Sequence, residues 1–345
     1  MATTELGRLL GLAGDLRIHF IDSPALAGNP LGDPSVRPLA VYEPPGFDPG
    51  GSQRYGVIYV LHGYTGDVAA LVAARPWETN VVQWADRLVR DGAMPPVLVA
   101  IVDGNNRFGG SQYVDSIGSG AYATHAIRDC IGFVDRTYPT IASEGGRAVV
   151  GKSSGGFGAL HLTMSYPGVF CAFASHSGDA GFAGAYVVEF VKTQRILEAH
   201  GRDPRAFVEA FEAKFKRSQD EMHAIMMLGQ AAAYSPRSAE AFDLDLPFDL
   251  ATGAPRDDVF ARWLAFDPAE TCVAHRAELA RLRLRYLDCG RRDEYALDAG
   301  ARVFAARVRE MGLDVRHEEF DDDHRNVGYR YAVSLPLLAR VLEAG

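Results

Sequence analysis

Gly151-Lys152-Ser153-Ser154-Gly155 sets a serine between two glycines, after an apolar run at 148–150 and before a helix-compatible segment. A serine hydroxyl is a weak nucleophile at neutral pH; it needs a base, a place for developing negative charge, and exposure. A sharp strand-to-helix turn supplies the exposure by lifting Ser153 above the sheet in a strained conformation. Side chains at Gly151 and Gly155 would collide across so tight a turn. The free N–H groups and positive dipole end of the following helix point at the same spot.

A base and an acid must complete the set. Of ten histidines, His324 is best placed, in the polar turn Asp321-Asp322-Asp323-His324-Arg325-Asn326 after the last strand. His125, His161, His200, His223 and His275 fall in helical patterns, where packing or surface roles are the default. His317 lies inside a strand and His176 just after one. Asp293, a short loop beyond the penultimate strand, is the candidate to hold the histidine's tautomer, with Asp179 its rival on the preceding loop. Asp321 to Asp323 are too close in sequence to reach the His324 Nδ1 comfortably. The order Ser…Asp…His is the one expected for a nucleophile on a strand–turn–helix elbow. Two backbone N–H groups, of Ser154 and of Tyr64 in His62-Gly63-Tyr64, are the expected oxyanion donors. His62 is read as a substrate contact or as a turn histidine bracing this loop. Asp103, Asn105 and Asn106 would bind substrate hydroxyls or cap a turn.

The elements that must position these residues alternate. Apolar runs at 16–21, 38–42, 57–61, 96–102, 148–150, 171–175, 284–288 and 315–320 read as strands. Helical patterns lie at 81–89, 122–138, 156–165, 299–311 and 331–342. The alternation predicts an α/β fold with a mainly parallel sheet covered on both faces, and ligands outside the carboxyl ends of its strands. Residues 184–281 break the rhythm, with helices expected at 186–199 and 204–228 and no convincing strand. Phe207, Phe211, Phe215, Met222 and Met226 recur there at helical spacing. That stripe is either a face packed on the body or a cap lining an acyl or aryl pocket, with Phe207 and Phe211 as substrate contacts.

With 345 residues, 48% of them hydrophobic, the chain can bury one large core. A net charge of −9 without a basic block argues against a nucleic-acid partner. Four scattered cysteines form no C-x-x-C pair and read as buried small hydrophobes, neither zinc site nor disulfide framework. The N-terminal residues lack a cationic leader pattern and no run is long enough to span a bilayer. The expectation is a cytoplasmic protein with no membrane partner, and homo-oligomerisation is left open.

Taken together, Leu61-His62-Gly63-Tyr64-Thr65-Gly66, Tyr113-Val114-Asp115-Ser116 with Gly120 and Tyr122, Gly151 to Gly156, Gly290-Arg291-Arg292-Asp293 and His324 carry a resemblance. The chain resembles the "putative esterase" family of α/β-hydrolases, which includes enterochelin esterases, feruloyl esterases, S-formylglutathione hydrolases and antigen 85 mycolyltransferases. The resemblance implies an α/β-hydrolase domain over residues 1–345, with 184–281 as a helical cap-like insertion. It further implies a serine carboxylesterase acting on a small-molecule ester through an acyl-enzyme on Ser153, with no metal or organic cofactor. Acyl transfer to an alcohol is the second reading, allowed by the mycolyltransferases. A non-enzymatic binding module on a hydrolase scaffold is the third, opposed by an intact Ser, Asp and His in order. The chain departs from many relatives in having Asp321-Asp322-Asp323 where they have a Gly-rich turn before the histidine.

Overall fold

Val57, Tyr59 and Leu61 pack into one hydrophobic cluster while Ile58 and Val60 pack into another, so a single five-residue strand is buried on both faces. That is the period-two consequence of an apolar run inside a covered sheet. The computed structural model describes residues 4–343; residues 1–3, where the reading of the N-terminus begins, and 344–345 lie outside the described residues.

In chain order the strands are β1 (Asp15–Asp22), β2 (Val36–Glu43), β3 (Val57–Leu61), β4 (Leu98–Val102), β5 (Asp115–Ser116), β6 (Gly120–Ala121), β7 (Arg147–Lys152), β8 (Ala172–His176), β9 (Leu284–Gly290) and β10 (Arg316–Phe320). Eight of them form one sheet in the order β1-β2-β4-β3-β7-β8-β9-β10, and β5 pairs with β6 in a separate hairpin. β1–β2 and β2–β4 are antiparallel; the other neighbours in the large sheet are parallel. The mainly parallel sheet expected from the alternation is present, and the strands differ from their expected bounds by one or two residues at most ends.

Helices Val81–Arg90 and Tyr331–Val341 cover one face, contributing Val82, Ala85, Leu335 and Leu338. Ser154–Ser165 and Leu297–Glu310 cover the other, with Leu160, Leu162, Phe304 and Val308. The expected helix at 122–138 is present, but its middle, His125–Cys130, is wound as a π-helix.

Between β8 and β9 the chain is helical, beginning at Phe182–Glu198. Here one expectation is corrected. The helix expected over 204–228 is two helices, Pro204–Ala213 and Gln219–Tyr234. Ser218 starts the second: its side chain accepts from Glu221 N–H while the Glu221 carboxylate accepts from Ser218 N–H, a reciprocal cap that terminates any continuous helix. The supposed five-residue stripe is therefore cut, and Phe215 is fully exposed in the connection. Further helices at Asp257–Leu264, Pro268–Thr271 and Arg276–Arg281 are not among those read from the sequence, although Asp267-Pro268 is a helix-start signal. The segment shares a third core with the body: Phe182, Phe190, Phe207, Leu228 and Trp263 pack in one cluster with Phe108, Phe157 and Leu297. No helix among the described residues is long and apolar enough to cross a membrane.

Candidate active site

Ser153 has φ +56° and ψ −125°, between the end of β7 and the helix Ser154–Ser165. This left-handed-side conformation is costly for any residue with a Cβ, and it holds the side chain above the sheet edge. The flanking glycines are there for close approach. A Cβ on Gly151 would lie 2.3 Å from the Gly155 backbone, and one on Gly155 would lie 2.2 Å from the Leu61 carbonyl oxygen.

The loops after β9 and β10 converge on this serine. His324 Nε2 lies 3.0 Å from Ser153 Oγ, and His324 Nδ1 donates to Asp293 Oδ2 at 2.8 Å. With Nδ1 protonated toward a carboxylate, Nε2 is left as the acceptor facing the hydroxyl. Asp293 also accepts from the Tyr295 N–H and, more weakly, from the Cys289 thiol at 3.4 Å. Burial alone would raise the Asp293 carboxyl; the bonds from His324, Tyr295 and Cys289 outweigh it and hold the group below the usual carboxylate range. The His324 N–H donates to Glu294, and the Tyr295 ring packs edge-on against the imidazole. Asp321 to Asp323 turn elsewhere. Asp321 pairs with Arg292, Asp322 accepts from Tyr329, and Asp323 accepts from the Arg325 N–H.

Tyr64 and Ser154 both border the cavity over Ser153. Among the described residues, neither of their backbone N–H groups donates to a protein acceptor. The Tyr64 loop is stiffly held. His62 Nδ1 bonds its own loop at the Gly63 carbonyl, His62 Nε2 accepts from Gly104 N–H at 2.8 Å, and Tyr113 donates to the His62 carbonyl.

The cavity has a volume of about 310 Å³. Its walls include Lys152, Asp179, Tyr186, Met222, Met226 and Arg325. Burial lowers the Lys152 ammonium, against the opposing pull of Asp293, Glu294 and Asp323. Burial pushes the Asp179 carboxyl up to about 6. Asp179, weighed as a rival acid, bonds Tyr186 rather than His324.

The expected substrate contacts lie elsewhere. His62 is buried in loop bracing, as described. Asp103 is buried in an ion pair with Arg37 at 2.5 Å. The Asn105 side chain accepts from the Asn106 N–H, and the Asn106 side chain accepts from Phe108 and Gly110 N–H groups, which makes both turn residues. Phe207 is fully buried in the third core, with Phe211 packed against it. None of the six borders the cavity over Ser153. Of the wall residues, Lys152 has no role in the sequence reading and Asp179 only that of a rival acid, whereas Met222 and Met226 belong to the stripe whose pocket-lining alternative names no residue beyond Phe207 and Phe211 as a contact. The two methionines sit four residues apart on one helix, a spacing visible in the sequence once that helix is separated from its predecessor.

All four cysteines are free and buried. Among the described residues, no group of three or more His, Cys, Asp or Glu side chains is placed to hold a metal ion.

The family model described as "Putative esterase" matches residues 34–331. Esterase Rv1288 of Mycobacterium tuberculosis is 36% identical over 86 residues, 25% of this chain and 19% of that protein. The match thus spans about a fifth of the curated relative's length. Among solved structures, a ferulic acid esterase superposes with TM-score 0.61 at 18% identity, covering 96% of this chain and 100% of that one. An S-formylglutathione hydrolase from Agrobacterium tumefaciens gives 0.56 at 14% identity, over 96% and 97%. Mycobacterium tuberculosis MPT51 gives 0.53 at 14%, over 95% and 99%. At such identities the structures speak for the fold, which is that of the α/β-hydrolases. With the family model spanning most of its length, the chain belongs to the esterase family of α/β-hydrolases.

Proposed function

We propose that this protein is a serine carboxylesterase that hydrolyses a small-molecule ester through an acyl-enzyme on Ser153. The observation that carries the reading is the continuous chain from Ser153 Oγ to His324 Nε2, 3.0 Å, and from His324 Nδ1 to Asp293 Oδ2, 2.8 Å. Ser153 Oγ attacks the ester carbonyl while His324 Nε2 takes its proton, and Asp293 stabilises the resulting imidazolium. The N–H groups of Tyr64 and Ser154 receive the oxyanion. Collapse of the tetrahedral species expels the alcohol, whose oxygen takes the proton back from His324. Water then attacks the acyl-enzyme with His324 again as base, and the carboxylic acid leaves with Ser153 restored.

The helical segment at 184–281 acts as a cap that shapes substrate range without moving protons. Its support is that Met222, Met226 and Tyr186 all come from this segment and line the cavity.

A fluorophosphonate probe tests the reading. It should label the wild type and leave Ser153→Ala unlabelled, and wild type alone should turn over p-nitrophenyl esters. Labelling that persists in Ser153→Ala, or ester turnover by that variant at the wild-type rate, would sink the assignment.

A further inference from the structure

Asp179 enters the cavity from the loop after β8, and its residue surface is only 5% exposed. One carboxyl oxygen, Oδ2, accepts from the Tyr186 hydroxyl at 2.8 Å. Among the described residues that is its only hydrogen-bond partner, and no cation stands within ion-pair distance. Lys152, on the same cavity wall, does not pair with it. The charged groups that bear on it are His324 on one side and the carboxylates of Asp293 and Asp267 on the other. Asp293 is occupied by His324, and Asp267 by the N–H groups of Gly181, Phe182 and Ala269.

The other oxygen, Oδ1, has no protein donor among the described residues and is not sealed off from the cavity, so it stands open to a donor carried by a bound molecule. Serving Tyr186 alone would need one acceptor atom, and an amide or hydroxyl would do that without a buried acid. The remaining oxygen belongs to a wall shared with the Ser153 nucleophile, where a bound substrate would supply the missing donor.

Building on the esterase reading, we propose that Asp179 is the specificity-determining residue of the cavity, accepting a hydrogen bond from a hydroxyl or ammonium group carried by the ester close to its scissile carbonyl. A site built around a buried acceptor rejects analogues that lack the donor far more strongly than an apolar wall rejects a missing methylene.

Matched esters test this: ethyl butyrate against ethyl 3-hydroxybutyrate, 2-hydroxyethyl butyrate and ethyl 3-aminobutyrate. At least one substituted ester should exceed ethyl butyrate in wild-type kcat/KM by about tenfold or more. In Asp179→Ala that ratio should fall to within about threefold of unity. Asp179→Asn, which keeps an acceptor oxygen without the charge, should retain a preference for hydroxyl and lose one for ammonium, and so tells the two donors apart. Equal kcat/KM across the panel, or a wild-type preference that survives Asp179→Ala, would overturn the proposal. Calorimetric binding of the same four esters to Ser153→Ala reads the cavity without turnover. Preferential binding of a substituted ester there, with no ester turned over by wild type, would sink the esterase reading and leave the Asp179 proposal standing. Equal binding of all four together with equal kcat/KM in the wild type would sink the proposal.

Discussion

The backbone N–H of Ser153 donates to the carbonyl of His176 at 2.9 Å, which carries the β7–β8 ladder one residue beyond the strand and into the strained elbow. The His176 ring is itself fixed, with Nδ1 bonded to Asp288 at 2.7 Å and Nε2 to Ser334 at 2.8 Å. Asp288 in turn pairs with Arg330, which also bridges to Glu318 and the Tyr286 hydroxyl. The backbone of the nucleophile thus rests on a buried polar network spread over β8, β9, β10 and the helix that starts at Tyr331.

The strain at φ +56° gives the first expectation. Glycine adopts this conformation freely, so Ser153→Gly should raise unfolding free energy by about 1 kcal/mol or more. It should at the same time lower esterase activity by about 10⁴-fold or more. Denaturant unfolding alongside an ester assay checks both, and a Ser153→Gly variant less stable than wild type would show that the elbow is not a strained site.

Arg330→Met should destabilise the fold by about 3 kcal/mol, because it leaves the Asp288 and Glu318 carboxylates short of their shared cation. Asp288 is almost fully buried, and among the described residues its side chain then keeps only His176 and Tyr286 as partners. An unchanged denaturation midpoint would mean that His176 and Tyr286 suffice to hold Asp288.

Asp293→Asn should lower kcat/KM on simple esters by about 10⁴-fold, since an amide cannot hold the His324 tautomer. Asp179→Asn should cost far less on ethyl butyrate, because Asp179 bonds Tyr186 and not His324. The reverse ranking in a side-by-side assay would exchange their roles.

The raised carboxyl of Asp179 makes a pH-dependent cost to stability. Its pKa in the fold is about 6, against an ordinary carboxyl in the unfolded chain. The native state therefore binds more protons between those values, and stability falls as pH rises through them. The full penalty, on the order of 3 kcal/mol, is present above pH ~6 and absent below pH ~4. Asp179→Asn removes the titration, so its melting temperature relative to wild type should be higher at pH 8 than at pH 4. A difference that does not change with pH would show that the carboxyl titrates normally.

Phe207→Ala and Met226→Ala should separate core from cavity wall. Phe207 is fully buried in the third core, and its truncation should cost about 3–5 kcal/mol of stability. Met226 borders the cavity, and its truncation should move the p-nitrophenyl ester optimum to longer acyl chains. Chain-length preference that responds to Phe207 and ignores Met226 would put the acyl group elsewhere.

The alternation of strands and helices, the elbow around Ser153, and the placing of His324 and two candidate acids, Asp293 and Asp179, on loops after strands could be read from the chain alone. Each depends on local rules: an apolar run long enough for a buried strand, glycines where a Cβ would collide, and polar residues at strand ends. What lines the cavity could not be read that way. Phe207 and Met226 share composition and approximate spacing, yet the Ser218–Glu221 cap breaks their helix and sends one into the core and the other to the wall. His62, Asp103, Asn105 and Asn106 sit at strand ends as a substrate contact would. Their fate was decided by partners distant in sequence, such as Arg37 for Asp103 and the Gly104 N–H for His62. Asp179 and Asp293 both follow strands on the same side of the sheet, and no local pattern tells a carboxylate aimed at His324 from one aimed at Tyr186. Only the placing of the 182–198 helix, which brings Tyr186 to Asp179, makes that distinction.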